Sequence, residues 1–326
     1  RTSRGQSVQK MRKSLIRMTL RQLQIFNEVC DLRSYSRAAD EMSLTQPAVS
    51  LQIRQLEELV GQPLFDYVGK KLYMTEAAEA LQRASRDIFG RLENLDMQLS
   101  DMQGSLQGQL KLAVESSAKY FVPHLFAAFK RQHPEVNLQL TVVNRAQVIR
   151  RLSDNRDDLV IMSMVPQDMG LDFLPFLNNP IVAVAPPDHP LCHQGPLRLQ
   201  DLEPYTLLMR EVGSGTRLAC EEYFKEKRVH FNQTQEVSSA EAQRECVLGG
   251  LCVGLLTGQV LNLELATGGL IELPIEELPL YRSWCLVQAK AKRLSPVAHA
   301  FLAFIRSERI QISALVERFD GKSALP

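Results

Sequence analysis

The sequence holds no hydrophobic run long enough to cross a membrane. Its longest near-apolar stretch, VLGGLCVGLLT from Val247 to Thr257, falls well short of the roughly 18 residues a spanning helix needs. No charged-then-apolar leader is read at the start, so a cytoplasmic protein is expected. Cysteine is sparse, and the six residues at 30, 192, 220, 246, 252 and 285 form neither a CxxC pair nor a His/Cys ladder, which argues against a zinc module or a disulfide framework. Each is read as a small buried hydrophobe. Cys220 and Cys246 stay open as redox thiols, because both fall on predicted helices beside a candidate cleft. Catalytic signatures are missing too: there is no GxSxG elbow, Walker loop or GxGxxG, and the histidines at 124, 133, 189, 193, 230 and 299 lack paired spacing. No catalytic residue, metal ligand or cofactor is assigned, and the expectation is a protein that is not an enzyme.

What remains is globular material. The 326 residues are 45% hydrophobic and 23% charged, enough for two or three domains of ordinary size. The net charge is only +1, but it is unevenly spread. Through Thr75 there are twelve Lys and Arg against seven acids, a balance of +5, which leaves −4 for the rest. An electropositive module on a mildly acidic body is the arrangement of a protein that approaches a polyanion at one end.

Residues 1–17 are basic and lack an apolar period, so they are read as an upstream extension or expression remnant, with Met18 as the natural start. From Leu20, the residues Leu23, Ile25, Phe26, Val29, Cys30 and Leu32 recur at helical spacing behind Thr19 as N-cap. Ser36 can cap a second short helix. Thr45 can cap a third, with Pro47 in its first turn, and only Met42, Ser43 and Leu44 are left for the turn between. Ala38, Ala39, Leu44, Val49, Ile53 and Leu56 then fit two helices crossing over one core, the pattern of a helix-turn-helix. On the outer face Gln46, Ser50, Gln52 and Arg54 offer donors and acceptors to base edges and phosphates, while Pro47 and Ala48 suit thymine methyls. Asp66 to Thr75 reads as two short strands around Gly69, with Lys70 and Lys71 at the tip for phosphate contact.

The segment SRAADEMSLTQPAVSLQIRQLEELVGQPLF, followed by LYMTEA, resembles the LysR-type transcriptional regulators, and the resemblance runs from residue 18 to about 310. It implies a winged helix-turn-helix reading a partly palindromic site in double-stranded DNA, with Ser36, Arg37, Thr45, Gln46, Pro47, Ser50, Gln52 and Arg54 at DNA-facing positions. It also implies a dimer of dimers and RNA polymerase as a partner. Tyr67 stands where many members carry Arg, and Ala78 where Gly usually follows TEA.

From Glu76 to Gln107 there is no proline, and Leu81, Ala84, Ile88, Leu92, Leu95, Leu99, Met102 and Leu106 alternate in steps of three and four. That near-heptad period predicts a self-associating linker helix ending near Gly104 and Gly108. Beyond it, strands and helices alternate as in an α/β body: QLKLAV, a helix over 122–132, NLQLTVV, a helix over 146–154, LVIM, DFLPFL, IVAVA, then YTLLM, a helix over 216–227, TQEV, a helix over 239–248 and VGLLT. A final strand over 284–287 and a helix over 296–306 return to the first half. Two lobes joined by two crossings leave a cleft at the carboxyl ends of their strands. Two glycine- or serine-rich openings face it. Gly213, Ser214, Gly215, Thr216 and Arg217 open one helix, and Ser116, Ser117 and Lys119 precede another; such openings favour a small anion. Ser163 and Thr257, each following an apolar strand, lie nearby.

This half resembles the LysR effector domain, a two-lobed fold similar to periplasmic binding proteins. SSAKYFVP, Asn144-Arg145, DLVIM and VAPPDHPL are most similar to the regulators of Calvin-cycle (RuBisCO) operons, with Ser163-Met164 in place of their usual Gly-Arg. The resemblance implies a phosphorylated or nucleotide effector and adds Asn144 to the effector-binding set. The expected architecture is α+β and multidomain: the extension to residue 17, the DNA-binding domain over 18–75, the linker helix over 76–107, a first effector subdomain over 108–185 and 287–312, a second over 186–286, and a tail from 313. The alternatives are a LysR-type regulator of organic or aromatic acid catabolism or of a redox response, and more remotely a solute-binding protein, which predicts a signal peptide, or an enzyme, which predicts a base in the cleft.

Overall fold

A computed structural model describes residues 15–102, 106–308 and 312; the expectations for residues 1–14, for Gly104 and for the tail from 313 lie outside the described residues. The chain divides into two compact units at Glu93/Asn94. In the first, α1 (Leu20–Leu32) begins at a reciprocal cap in which the Thr19 hydroxyl accepts the Gln22 N–H and the Gln22 side chain accepts the Thr19 N–H, each at 3.1 Å. α2 (Tyr35–Glu41) is capped by Ser34, whose hydroxyl accepts the Arg37 N–H at 3.3 Å. The expected cap, Ser36, is instead an exposed residue of the helix itself, because Ser34 has the extended backbone a cap requires. α3 (Gln46–Val60) starts at Thr45, whose hydroxyl accepts the Ala48 N–H, with Pro47 in the first turn. Phe26, Val29, Ala38, Ala39, Val49, Ile53 and Leu56 are buried together, so the two alanines let α2 approach closely. β1 (Phe65–Val68) and β2 (Lys71–Met74) form the antiparallel hairpin that follows.

α4 (Glu76–Asp101) begins in the first unit, where Ala78 is buried and Leu81 packs on the same core. Its continuation carries an apolar stripe left uncovered among the described residues: Ile88, Leu92, Leu95, Leu99 and Met102 are exposed, Leu99 to 53% and Met102 to 84%. The eight-residue seam read from the sequence is thus shortened at both ends, since Leu106 packs on the core of the second unit.

The second unit has four buried clusters, of which the two larger define its lobes as a first and a second core. β3 (Gly108–Glu115), α5 (Val122–Gln132), β4 (Val136–Val143), α6 (Arg145–Ser153) and β5 (Leu159–Met162) build the first lobe, with β3 parallel to both β4 and β5. β6 (Leu171–Ala185) is one strand rather than the expected two. Phe176 and Leu177 lie in the first core, and Ile181, Ala183 and Ala185 in the second. β7 (Leu207–Arg210), α7 (Gly215–Lys227), β8 (Thr234–Val237), α8 (Ala240–Leu248), β9 (Val253–Thr257), α9 (Asn262–Thr267) and the two-residue β10 (Ile271–Glu272) make the second lobe, with β7 parallel to β8 and β9. β11 (Leu280–Ala289) returns antiparallel to β6 over its whole length, from the second core at Leu280 to the first at Trp284 and Leu286. α10 (Pro296–Ser307) closes the first lobe. The crossings therefore lie inside β6 and β11, not at residues 186 and 287, because an extended strand can change cores without breaking its pattern. Among the described residues no helix is long and apolar enough to cross a membrane.

The first core is aromatic. Phe129 is fully buried, with ring centroids of Phe301 at 5.2 Å, Phe304 at 5.5 Å and Phe126 at 5.9 Å. Phe129→Ala is expected to lower the unfolding free energy of this unit by ~3–5 kcal/mol in urea denaturation; a loss below ~1 kcal/mol would show that the cluster does not hold α5 to α10.

Candidate functional site

Two surfaces carry the residues singled out in the sequence. On the first unit, Ser36, Arg37, Thr45, Gln46, Pro47, Arg54, Lys70 and Lys71 are exposed, and Ala48, Ser50 and Gln52 are half-buried. The buried positions of α3, namely Val49, Ile53 and Leu56, fix which side of the helix is left outward. Gln46 Nε2 donates to Ser50 Oγ at 3.0 Å, one turn along, which holds the amide in place. Val68 pairs with Lys71, so Gly69 and Lys70 form a two-residue tip. An outward amide row beside exposed cations offers base-edge donors and phosphate contacts together.

The second surface is the seam between the lobes. Strands β3, β4, β5, β7, β8 and β9 all end there, which is why loops far apart in sequence converge. The backbone N–H of Ala146 donates to Gly213 O at 3.0 Å across the seam. Gly213 has φ +95°, and a Cβ there would lie 3.0 Å from that of Ala146, so a side chain would part the lobes. Asn144 caps α6 by accepting the Gln147 N–H at 3.1 Å and donates across the seam to Glu211 at 3.4 Å. Arg210, 3% exposed, donates to both carboxylate oxygens of Glu211 at 2.9 and 3.1 Å and to Ser116 Oγ at 3.2 Å on the other lobe. Ser117, Ser163, Ser214 and Thr257 are buried, and Thr216 is half-buried. Ser214 Oγ caps α7, and Thr257 Oγ1 is buried with no partner among the described residues.

The carboxylate of Glu115 sits at the centre. It accepts the backbone N–H of Ser163 at 2.9 Å and lies so close to the first turn of α7 that a Cβ on Gly215 would come within 2.3 Å of Oε2. Burial pushes its pKa up to about 7, outweighing the Ser163 hydrogen bonds and the charges of Arg145 and Arg210. At the rim, Lys119 and Tyr120 of the first lobe both bond Glu241 of the second. Burial would raise the Glu241 carboxyl, but these bonds and its backbone N–H prevail and bring it down to about 2.

Three expectations change. Arg217 turns away from the seam: it touches the backbone carbonyl of Arg210 there, at 2.9 Å, but pairs with Glu221 and Glu236 and lines a separate pocket of ≈ 310 Å³ with Phe224 and His230. Lys119 is there but already paired. Cys220 is buried, and burial drives its thiol up to about 12, the opposite of the lowered value that favours a reactive thiolate. Sequence reading also missed the charged members of the seam, Glu115, Arg145, Arg210, Glu211 and Glu241. Glu115, Arg210 and Glu211 adjoin the two loops that were noticed, so position, not residue type, was their signal.

Residues 20–79 match the bacterial regulatory helix-turn-helix protein family of lysR type, and residues 103–309 match the LysR substrate binding domain. The chain belongs to the LysR family. It is a LysR-type transcriptional regulator with an effector-binding domain. It is similar to the RuBisCO operon transcriptional regulator of Acidithiobacillus ferrooxidans, at 41% identity over 90% of this chain and 94% of that protein. Similarity to the HTH-type transcriptional activator CmpR of Synechocystis sp. is 39% over 91% of this chain and 98% of that one. Among solved structures, the regulatory domain of Synechocystis CcmR in complex with 2-PG is 36% identical, covering 62% of this chain and 97% of that chain, with a TM-score of 0.59.

The raised Glu115 gives the stability of this LysR-type protein a definite pH slope. A carboxyl raised on folding contributes stability that is full below its unfolded value and lost as pH rises through about 7. The fall in Tm between pH 5 and 8 is expected to be shallower in Glu115→Gln, which keeps an acceptor for the Ser163 N–H; equal falls in the two proteins would contradict the burial of an ionisable carboxyl here.

Proposed function

We propose that this regulator reads a partly palindromic promoter site of a carbon-fixation operon through α3 and the hairpin, as a dimer of dimers acting in the cytoplasm with RNA polymerase, and that a small phosphorylated anion held between the effector lobes changes those DNA contacts. It acts by binding alone, without a covalent step. The observation that carries the effector reading is Arg210. A guanidinium only 3% exposed, bridging to Ser116 of the other lobe beside the start of α7, is a cation placed where an anion would join the lobes. Similarity to RuBisCO operon regulators and to a domain solved with 2-PG supports the pathway. Met164 takes the place of an Arg in that subfamily, but Arg145 donates through Nε to the Met164 carbonyl at 2.9 Å, so a guanidinium still faces this strand end.

A ligand can switch DNA contacts only by favouring one lobe arrangement over another, typically by ~1–3 kcal/mol. Two recognition helices are needed to read two half-sites, and the exposed stripe that runs from Ile88 along α4 and on to Met102 is the surface that supplies the pairing.

Gel retardation on DNA upstream of the operon adjoining its gene tests the main reading. Sequence-specific retention is expected to shift with 2-PG or ribulose bisphosphate. Gln46→Ala is expected to lose ~1–3 kcal/mol of discrimination between sites, whereas Lys70→Ala weakens all DNA alike and lowers the salt slope by about one. Retention that responds only to a non-phosphorylated organic acid would move the pathway, and absence of sequence preference at moderate salt would sink the DNA-reading assignment. For the stripe, Leu92→Lys with Leu99→Lys is expected to convert the assembly to smaller species in sedimentation; an unchanged mass would place self-association elsewhere.

A further inference from the structure

The carboxylate of Glu115 stands on the ground an anionic ligand would take. It is 5% exposed, lies against Gly215 in the first turn of the 13-residue α7, takes the Ser163 N–H at 2.9 Å, and has Ser163 Oγ 3.4 and 3.5 Å from its two oxygens. Amide and hydroxyl donors with a helix start form the set that binds a phosphate or a free carboxylate. Two guanidinium groups face it, and both spend donors elsewhere: Arg210 on Glu211 and Ser116, and Arg145 on the Met164 carbonyl. Cys285 of β11 is the other titratable neighbour, its thiol pushed up to about 11 by burial and then by the Glu115 charge. The seam thus holds an internal anion in contact with the other lobe.

We propose that Glu115 is a tethered anion filling the effector's anionic subsite, so that a phosphorylated metabolite enters only as a proton is placed on Glu115. The proposal rests on the reading that a small anion binds between the lobes, and it names the residue that sets which charge the site accepts. Two anions in a seam this buried repel strongly, and the carboxyl is the partner able to give up its charge. Burial brings its pKa to about 7, so the proton comes within the neutral range. The sign follows: affinity for an anion is highest below about pH 7 and falls as pH rises through it, because ionised Glu115 must first be protonated. A neutral side chain at this position removes that dependence.

Calorimetric titration of the full chain with 2-PG tests this, run at pH 8 in two buffers of different ionisation enthalpy. The wild type is expected to take up close to one proton per ligand, about 0.9 for one carboxyl with a pKa near 7, and Glu115→Gln none. Glu115→Gln is expected to bind roughly tenfold more tightly than wild type at pH 8 and about equally at pH 6. The ligand's own phosphate titration is common to both proteins and cancels in that ratio. The wild-type proton count stands even if the variant does not fold. Binding without proton uptake, or an affinity ratio that is the same at both pH values, overturns the assignment of Glu115 and leaves the anion-binding reading intact. Failure of both proteins to bind 2-PG and inorganic phosphate overturns both.

Discussion

The effector half depends on one constraint: two long strands must each pass from the buried clusters of one lobe into those of the other. β6 and β11 pair with one another from Leu171 opposite Ala289 to Ile181 opposite Leu280, so neither lobe can exist without the strands that leave it. The other strands attach on either side, β5 to β11 and β9 to β6. Because β3 runs parallel to β4 and β5, and β7 parallel to β8 and β9, their carboxyl ends gather at the seam. A packed aromatic cluster on one side and an aliphatic one on the other leave the seam as the place where polar groups are buried together.

Burying charges is costly unless partners are supplied, and the seam supplies them from opposite lobes. Ser116 serves Arg210, Asn144 serves Glu211, and Lys119 and Tyr120 serve Glu241. Parting the lobes would break each of these pairs at once, which makes the seam a two-state element of the kind a ligand can bias. Glu115 is the member least satisfied by charge, and burial already drives its pKa to about 7. In the proposed reading, the same geometry that joins the lobes is what an incoming anion would act on.

Much of this was legible from periodicity and capping chemistry. LVIM, TQEV and VGLLT are strands with the boundaries their β-branched runs suggest, and the helix over Val122–Gln132 ends where expected. The helix-turn-helix was visible because Ala38, Ala39, Val49, Ile53 and Leu56 can share a core only at that crossing. What could not be read was set by tertiary neighbours. Ser34 and Ser36 are equally good caps by type, and only backbone geometry chooses between them. β6 looked like two strands because Pro175 and the polar pair Asn178 and Asn179 interrupt its apolar pattern where it changes cores. At the site, glycine and serine loops announce themselves, whereas Glu115 and Arg210 look like ordinary strand-end charges until the fold buries them opposite one another. Arg217, in the first turn of the helix that follows, points the other way into Glu221 and Glu236.

The central claim is that the effector acts by holding the two lobes together. The Ala146 amide, bonded to Gly213 O across the seam at 3.0 Å, reports on that directly by hydrogen exchange. With 2-PG at about one hundred times its Kd, exchange at Ala146 is predicted to slow by up to ~100-fold if opening requires release of the ligand, while amides in the Phe129 core change little. Exchange at Ala146 that is unchanged or faster at saturation would contradict the account.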